Sequence, residues 1–272
     1  MNGPLTVASL HFGSGFGAVM VPHLKKQVPA DQDIIEFLIS DPSRKGLLKL
    51  LERTPRPCSL IGISIRPDPE IVASFRSHGI AVVLIDEEAE GACTIACDNL
   101  VGGLLAGQYV ACLGRRNPVV VCGKRSIAGG RAAALRVTGF ERALATVGLS
   151  LSDETILEVE DYTRKGGCRA MVDLLNVRPM PDTIFCAAGD LCATGMVSVA
   201  RQHLRIPEEL SIIGFDDHPV SGLCEPPLTT IRQPLERMAV EAYRLATLDA
   251  ENSLSRPQTM LLEPELVVRR SA

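Results

Sequence analysis

Residues Leu210 to Pro234 read LSIIGFDDHPVSGLCEPPLTTIRQP. The run Leu210 to Phe215 is short, apolar and carries the β-branched pair Ile212-Ile213, and it halts at Asp216-Asp217. A strand in a parallel sheet reads this way, because helices cover both of its faces and leave no polar alternation. In open α/β sheets ligands are met outside the carboxyl ends of the strands, so the two acids stand where a ligand arrives. Beyond them, Pro219, Gly222 and Pro226-Pro227 mark a loop. Leu228 to Gln233 reads as a second extended run, which Pro234 closes by opening a helix at its first position.

The same alternation extends in both directions. Strands are expected over Leu5 to Leu10, Asp33 to Ile39, Leu60 to Ile65 and Ile80 to Ile85, with helices over the amphipathic segment to about Gln27, over Pro42 to Arg53 and over Pro69 to Ser77. That βαβαβαβ order demands a parallel sheet with helices on both faces. A second unit then begins: a short strand Thr94 to Cys97, a helix capped by Asp98 and running to about Leu113, a strand Pro118 to Cys122, and a long helix Gly130 to Val147. Thr155 to Val159, Lys165 to Leu175, Asp182 to Ala187, Asp190 to Gln202 and Leu210 to Phe215 continue it. With no long Ser/Gly linker between the halves, the pattern predicts two Rossmann-like α/β lobes joined by short crossovers, with a cleft between them. Composition alone does not place the helix from Pro234 or the strands near Met260 to Leu262 and Glu265 to Arg269.

Several classes of protein are disfavoured early. At 272 residues, with 46% hydrophobic and 22% charged residues, the chain buries a real core. A net charge of −4 provides no long-range attraction for phosphate backbones, so DNA binding by this segment alone is not expected. The nine cysteines lie in apolar segments without a CxxC pair and read as small buried hydrophobes of a reducing compartment, with no metal. No stretch approaches a membrane span, and Met1-Asn2-Gly3-Pro4 lacks the basic head of a secretion signal, so a cytoplasmic protein is expected. No GxSxG elbow, phosphate loop or histidine-centred triad appears, and no catalytic residue or cofactor is assigned. Gly13, Gly15 and Ala18 satisfy a G-x-G-x-x-G/A pattern after the first strand. The acid that should follow at the end of the second strand is not there: Glu36 falls mid-strand and Asp41 lies beyond its end.

Together with Ile206-Pro207-Glu208-Glu209 and the closing Pro264-Glu265-Leu266-Val267-Val268-Arg269-Arg270-Ser271, the stretch from Gly214 to Pro234 resembles the effector-binding domain of the LacI/GalR family of bacterial transcription regulators. The resemblance covers nearly the whole chain and is strong from Asp98 onward. It implies a periplasmic-binding-protein-like fold with three crossovers acting as a hinge: residues 1–95 with 233–257 in one lobe, 96–232 with 258–272 in the other. It also implies ligand roles. Asp216 would accept from ligand hydroxyls, with Asp86 as its counterpart at the end of a first-lobe strand and Gln233 at the crossover. Arg136, in the R-x-x-G-F segment Arg136 to Phe140, would present a planar fork to ligand oxygens. Phe16 is the nearest counterpart of the family's loop phenylalanine, and Gly189 stands where an Asn or Ser usually touches a sugar hydroxyl. Asp190 reads as the cap of the helix that follows.

The expected function is therefore effector sensing: a small polar molecule such as a sugar, sugar phosphate, nucleoside or purine is bound, and lobe closure is transmitted to a helix-turn-helix headpiece that lies outside this chain. Operator DNA is contacted only through that headpiece, and two-fold operators imply a homodimer. A solute-binding protein of a sugar transporter and, on the glycine loop alone, an NAD-linked enzyme stay open as alternatives.

Overall fold

The computed structural model describes residues 4–9, 15–39, 45–52, 57–125, 130–250 and 256–272. In chain order the first unit contains β1 (Leu5–Ser9), α1 (Gly15–Lys25), β2 (Ile34–Leu38), a 3-10 helix Lys45–Glu52, β3 (Ser59–Ile63), α2 (Pro69–Ser77), β4 (Ala81–Ile85) and β5 (Cys93–Cys97). The chain continues with α3 (Asn99–Cys112), β6 (Pro118–Gly123), α4 (Arg131–Ala145), β7 (Ile156–Val159), α5 (Arg164–Leu174), β8 (Thr183–Cys186), α6 (Asp190–Ala200) and β9 (Ser211–Asp216). It ends with α7 (Val220–Leu223), β10 (Thr229–Arg232), α8 (Leu235–Ala250), β11 (Thr259–Leu262) and β12 (Glu265–Val267).

These strands form two six-stranded sheets, ordered β11-β5-β4-β3-β1-β2 and β12-β10-β9-β8-β6-β7. The described pairings are parallel except at β10–β12, where the edge strand runs antiparallel. Central strands are buried residue by residue, as in Ala81–Ile85 and Ser59–Ile63, which is why the sequence shows continuous apolar runs rather than alternation. The chain divides into two compact units, Met1–Cys97 with Pro234–Leu262, and Asp98–Gln233 with Glu263–Ala272. Residues 258–262, expected with the second lobe, instead lie in the first unit: β11 pairs with β5 in the register Thr259 to Thr94 through Leu262 to Cys97. In the same way Gln233, expected at the start of the returning segment, closes the second unit.

Local chemistry matches the elements. Asp98 caps α3, its carboxylate accepting from Val101 N at 3.0 Å, which satisfies one of the orphan donors of a helix start. The helix expected from Pro42 to Arg53 is a 3-10 helix over Lys45–Glu52, with Pro42 itself outside the described residues. Gly13, which began the glycine pattern, is likewise outside them.

Candidate functional site

The second unit brings four of the expected residues to one place. Arg136 comes from the middle of α4, and its position is set by how closely α3 and α4 approach. A Cβ on Gly103 would stand 2.0 Å from the Arg136 carbonyl oxygen, and one on Gly139 would stand 2.1 Å from that of Leu100. Only hydrogen fits at either point, so the two backbones touch and the Arg136 side chain is presented along a fixed line. It is buried, 8% exposed. Its Nε donates to Asn99 Oδ1 at 2.7 Å, its Nη1 donates to the Ala187 carbonyl at 2.9 Å, and its guanidinium lies 3.6 Å from the centroid of the Phe215 ring. Stacked and doubly bonded, it is a pre-set fork whose Nη2 edge has no protein acceptor among the described residues.

Asp216 is the last residue of β9, with φ 114°, in the left-handed half of backbone space that non-glycine residues seldom occupy. Gln233, just past β10, donates from Nε2 to Asp216 Oδ1 at 2.7 Å. Burial raises the carboxyl's pKa, while the Arg136 cation, the Gln233 bond and His218 act in the opposite direction. Gln233 is 3% exposed, and its Oε1 has no hydrogen-bond partner among the described residues. Gly189, φ 107°, lies against the same carboxylate: a Cβ there would stand 2.8 Å from Asp216 Oδ2. No side chain at residue 189 can share this space with Asp216 in its present place.

Asp190 is not a helix cap. Gly189 occupies the cap position of α6 without a side-chain bond, and the Asp190 carboxylate turns inward to accept from His218 N, Ser221 Oγ and Thr230 Oγ1. One contributor escaped the sequence reading, and one aromatic joins it. Asn99, 4% exposed, orients Arg136; its signal was a polar residue directly after a cap, at the start of an otherwise apolar helix face. Tyr162, 47% exposed, follows β7 and packs where a Cβ on Gly123 would come within 2.6 Å of its hydroxyl. It offers an aromatic surface at the carboxyl ends of β6 and β7.

The first unit places Asp86 directly after β4, with φ 70°, its backbone N–H donating to Ile95 O at 2.9 Å. Phe16 is the second residue of α1 and is half-buried. Glu36, considered above for a nucleotide ribose, is ion-paired with Lys25. Among the described residues no helix is long and apolar enough to cross a membrane, and no cluster of three or more His, Cys, Asp or Glu could hold a metal.

Two parallel-sheet units are threaded by one chain that passes between them three times, with polar side chains gathered at strand ends, where open α/β sheets meet their ligands. The family model for the periplasmic binding protein-like domain matches residues 108–272, and the chain belongs to that family, in the form found in LacI-type transcriptional regulators. The HTH-type transcriptional regulator CelR of Thermobifida fusca is 34% identical over 175 residues, 64% of this chain and 50% of that protein. The HTH-type transcriptional repressor PurR of Erwinia tasmaniensis is 31% identical over 218 residues, 78% of this chain and 62% of the repressor. The matched region thus spans about half to three-fifths of these relatives. Among solved structures, a CelR–cellobiose complex superposes with a TM-score of 0.84 at 23% identity, covering 98% of this chain and 84% of that one. A LacI family regulator from Enterococcus faecium with bound ribose gives 0.85 at 20% identity, covering 98% of each. The relatives are regulators of transcription, which favours that reading over a transporter's solute-binding protein.

Proposed function

We propose that this chain is the effector-sensing part of a LacI/GalR-type repressor and that it binds a small hydroxylated molecule through Arg136, Asp216 and Gln233, with Tyr162 as an apolar wall and Gly189 leaving space beside Asp216. The observation that carries this reading is the Gln233 amide. Its N–H is spent on Asp216, and its carbonyl oxygen is buried without a donor among the described residues. A buried acceptor left unmet costs about 1–3 kcal/mol. A ligand hydroxyl donating to it removes that penalty while also reaching the neighbouring carboxylate, and the Arg136 fork supplies the complementary donors. Nothing in the cluster calls for bond-making chemistry, and we assign it a binding role.

The reading keeps Asp86 and Phe16 of the first unit as proposed effector contacts in their own right, and makes the protein a cytoplasmic homodimer that meets operator DNA through a headpiece outside this chain. The ligands in two similar solved structures, cellobiose and ribose, support a sugar-like effector, and nucleosides and purines stay in the set on the same hydroxyl- and amide-pairing chemistry. The test is a thermal-shift screen of ribose, cellobiose, sugar phosphates, nucleosides and purines. A compound at 100 times its dissociation constant adds about 2.7 kcal/mol to stability. Asp216→Ala and Arg136→Ala are each expected to abolish the shift from the hit; a full shift in both variants refutes the site.

A further inference from the structure

Behind the Asp216 carboxylate lies a second one that the effector reading leaves unused. Asp190, at the start of α6, is 0% exposed. Its Oδ2 accepts from His218 N at 2.9 Å and from Ser221 Oγ at 2.6 Å, and its Oδ1 accepts from Thr230 Oγ1 at 2.7 Å. Those donors belong to three pieces of chain: the loop that leaves Asp216-Asp217, the short helix α7, and β10, the strand that leads to Gln233. Residue 214 must be glycine for this to happen, since a Cβ there would stand 2.0 Å from Asp190 Oδ1.

The backbone that Asp190 ties down is strained. Asp216 and Asp217 have φ 114° and 53°, and consecutive non-glycine residues in the left-handed region persist only where the surroundings over-determine them. Asp217 is held from outside: its Oδ2 accepts from Arg232 Nε and its Oδ1 from Arg269 Nη2, each at 2.6 Å. His218, the next residue, is held from within by Asp190 alone among the described side chains. We propose that Asp190 is a positioning residue, whose buried carboxylate fixes the Asp216 and Gln233 segments against α6 so that their polar groups meet at one point. This rests on the effector reading for its purpose but not for its test. The electrostatics agree with a close pair: burial first and then the neighbouring Asp216 charge push Asp190 up to about 8, against the bonds from Ser221, Thr230 and His218. Cys186, Cys224 and His218 are the other titratable groups facing the pair, with Arg136 on its Asp216 side.

Asn can replace Asp190 and keep the segments tied: its carbonyl serves His218 N and Ser221, and its amide donates to the Thr230 hydroxyl, which turns to accept. Ala can do neither. In effector-free protein, Asp190→Ala is expected to speed hydrogen exchange of amides 215–221 by about tenfold or more relative to those of β6 and β7, while Asp190→Asn stays within about threefold of the parent. The carboxyl carbon of Asp216, identified in NMR spectra by its absence in Asp216→Asn, is expected to titrate above the ordinary carboxylate range in the parent and in Asp190→Asn. In Asp190→Ala it should fall toward that range as the segment loosens. Unchanged exchange at 215–221 in Asp190→Ala, or an Asp216 midpoint that does not move, overturns the proposal. If Asp190→Ala does not fold, Thr230→Val removes the Oδ1 donor alone, and unchanged exchange at 215–221 there overturns it equally. Because no effector is present, failure here leaves the binding reading intact, whereas a full thermal shift in Asp216→Ala defeats that reading and leaves this result standing.

Discussion

Gly103→Ala tests the packing that sets Arg136. In an open helix the change is favourable, because Ala is a better helix former than Gly by about 1 kcal/mol. Here the new methyl would sit 2.0 Å from the Arg136 carbonyl oxygen, with the Phe140 amide nitrogen 2.9 Å away. Ordinary contact begins near 3.4 Å, so α3 and α4 would have to part by roughly 1.4 Å, and both obstructing atoms are backbone. No rotamer change relieves that. Parting the helices also loosens Val137 and Phe140, which are 3% and 0% exposed on the same face. Overpacking of this kind costs about 1–3 kcal/mol where side chains can yield. With rigid backbone on both sides we take the upper part of that range, leaving a net loss of about 2 kcal/mol after the propensity gain. The chain has no tryptophan, so unfolding in urea is best followed by far-UV circular dichroism. At about 1–3 kcal/mol per molar, the second unit's midpoint should fall by about 1 M. Gly222→Ala is the control, with nothing within 4 Å of its Cβ, and should be neutral or slightly stabilising. A Gly103→Ala midpoint equal to or above the parent's would refute the reasoning.

Further outcomes follow from the same structure. Arg136→Lys keeps the charge but loses the planar fork that reaches Asn99 and Ala187 together, and we expect any effector found in the screen to bind at least about tenfold more weakly by calorimetry; equal affinity would mean the fork is not used. Asp190 carries a raised pKa of about 8, so the folded chain keeps a proton that the unfolded chain releases in the ordinary carboxylate range; its contribution to stability is complete below that range and is lost as pH rises through about 8. The stability of Asp190→Asn relative to the parent should therefore rise between pH 6 and 8 by about 1.4 kcal/mol per unit and level off above, and a flat difference would place the Asp190 titration elsewhere. In the first unit, Arg76 grips Asp249 of α8 with two bonds of 2.8 and 3.2 Å, and the Asp249 side chain is only 4% exposed. Arg76→Ala strands that carboxylate and should cost about 2–4 kcal/mol in urea unfolding, with Asp249→Asn in the same background recovering part of it.

What the sequence disclosed and what it withheld divide along a physical line. Features set by local periodicity were legible: β9 as an apolar run stopped by acids, the alternation giving two parallel sheets, Asp98 as a cap. Features set by a partner distant in sequence were not. Thr259–Leu262 has the pattern of an exposed edge strand, and nothing within it says which sheet it will join; β5 decides. Asp190 precedes a helix as a cap does, and only the arrival of Ser221 and Thr230, 31 and 40 residues later, turns it inward. Lys45–Glu52 carries a helical pattern, yet it winds as a 3-10 helix with Leu47 and Leu50 buried three residues apart, the spacing a three-residue turn presents to one side.

The distribution of strain points the same way as the chemistry. Among the described residues four non-glycine residues have positive φ, Ser64, Asp86, Asp216 and Asp217, and each lies at or just beyond the carboxyl end of a strand, β3, β4 or β9. Such conformations cost about 1–3 kcal/mol apiece, and a turn that served only to connect two elements could use glycine, as the turns that leave α2, α3 and α4 do at Gly79, Gly114 and Gly148. Where the chain retains an aspartate in a glycine conformation, the carboxylate itself is what the position holds. At β9 the cost is offset by the ion pairs of Asp217 with Arg232 and Arg269 and by the buried Asp190 behind the loop. A solvated loop acid would need none of them, which supports the ligand role proposed for Asp216.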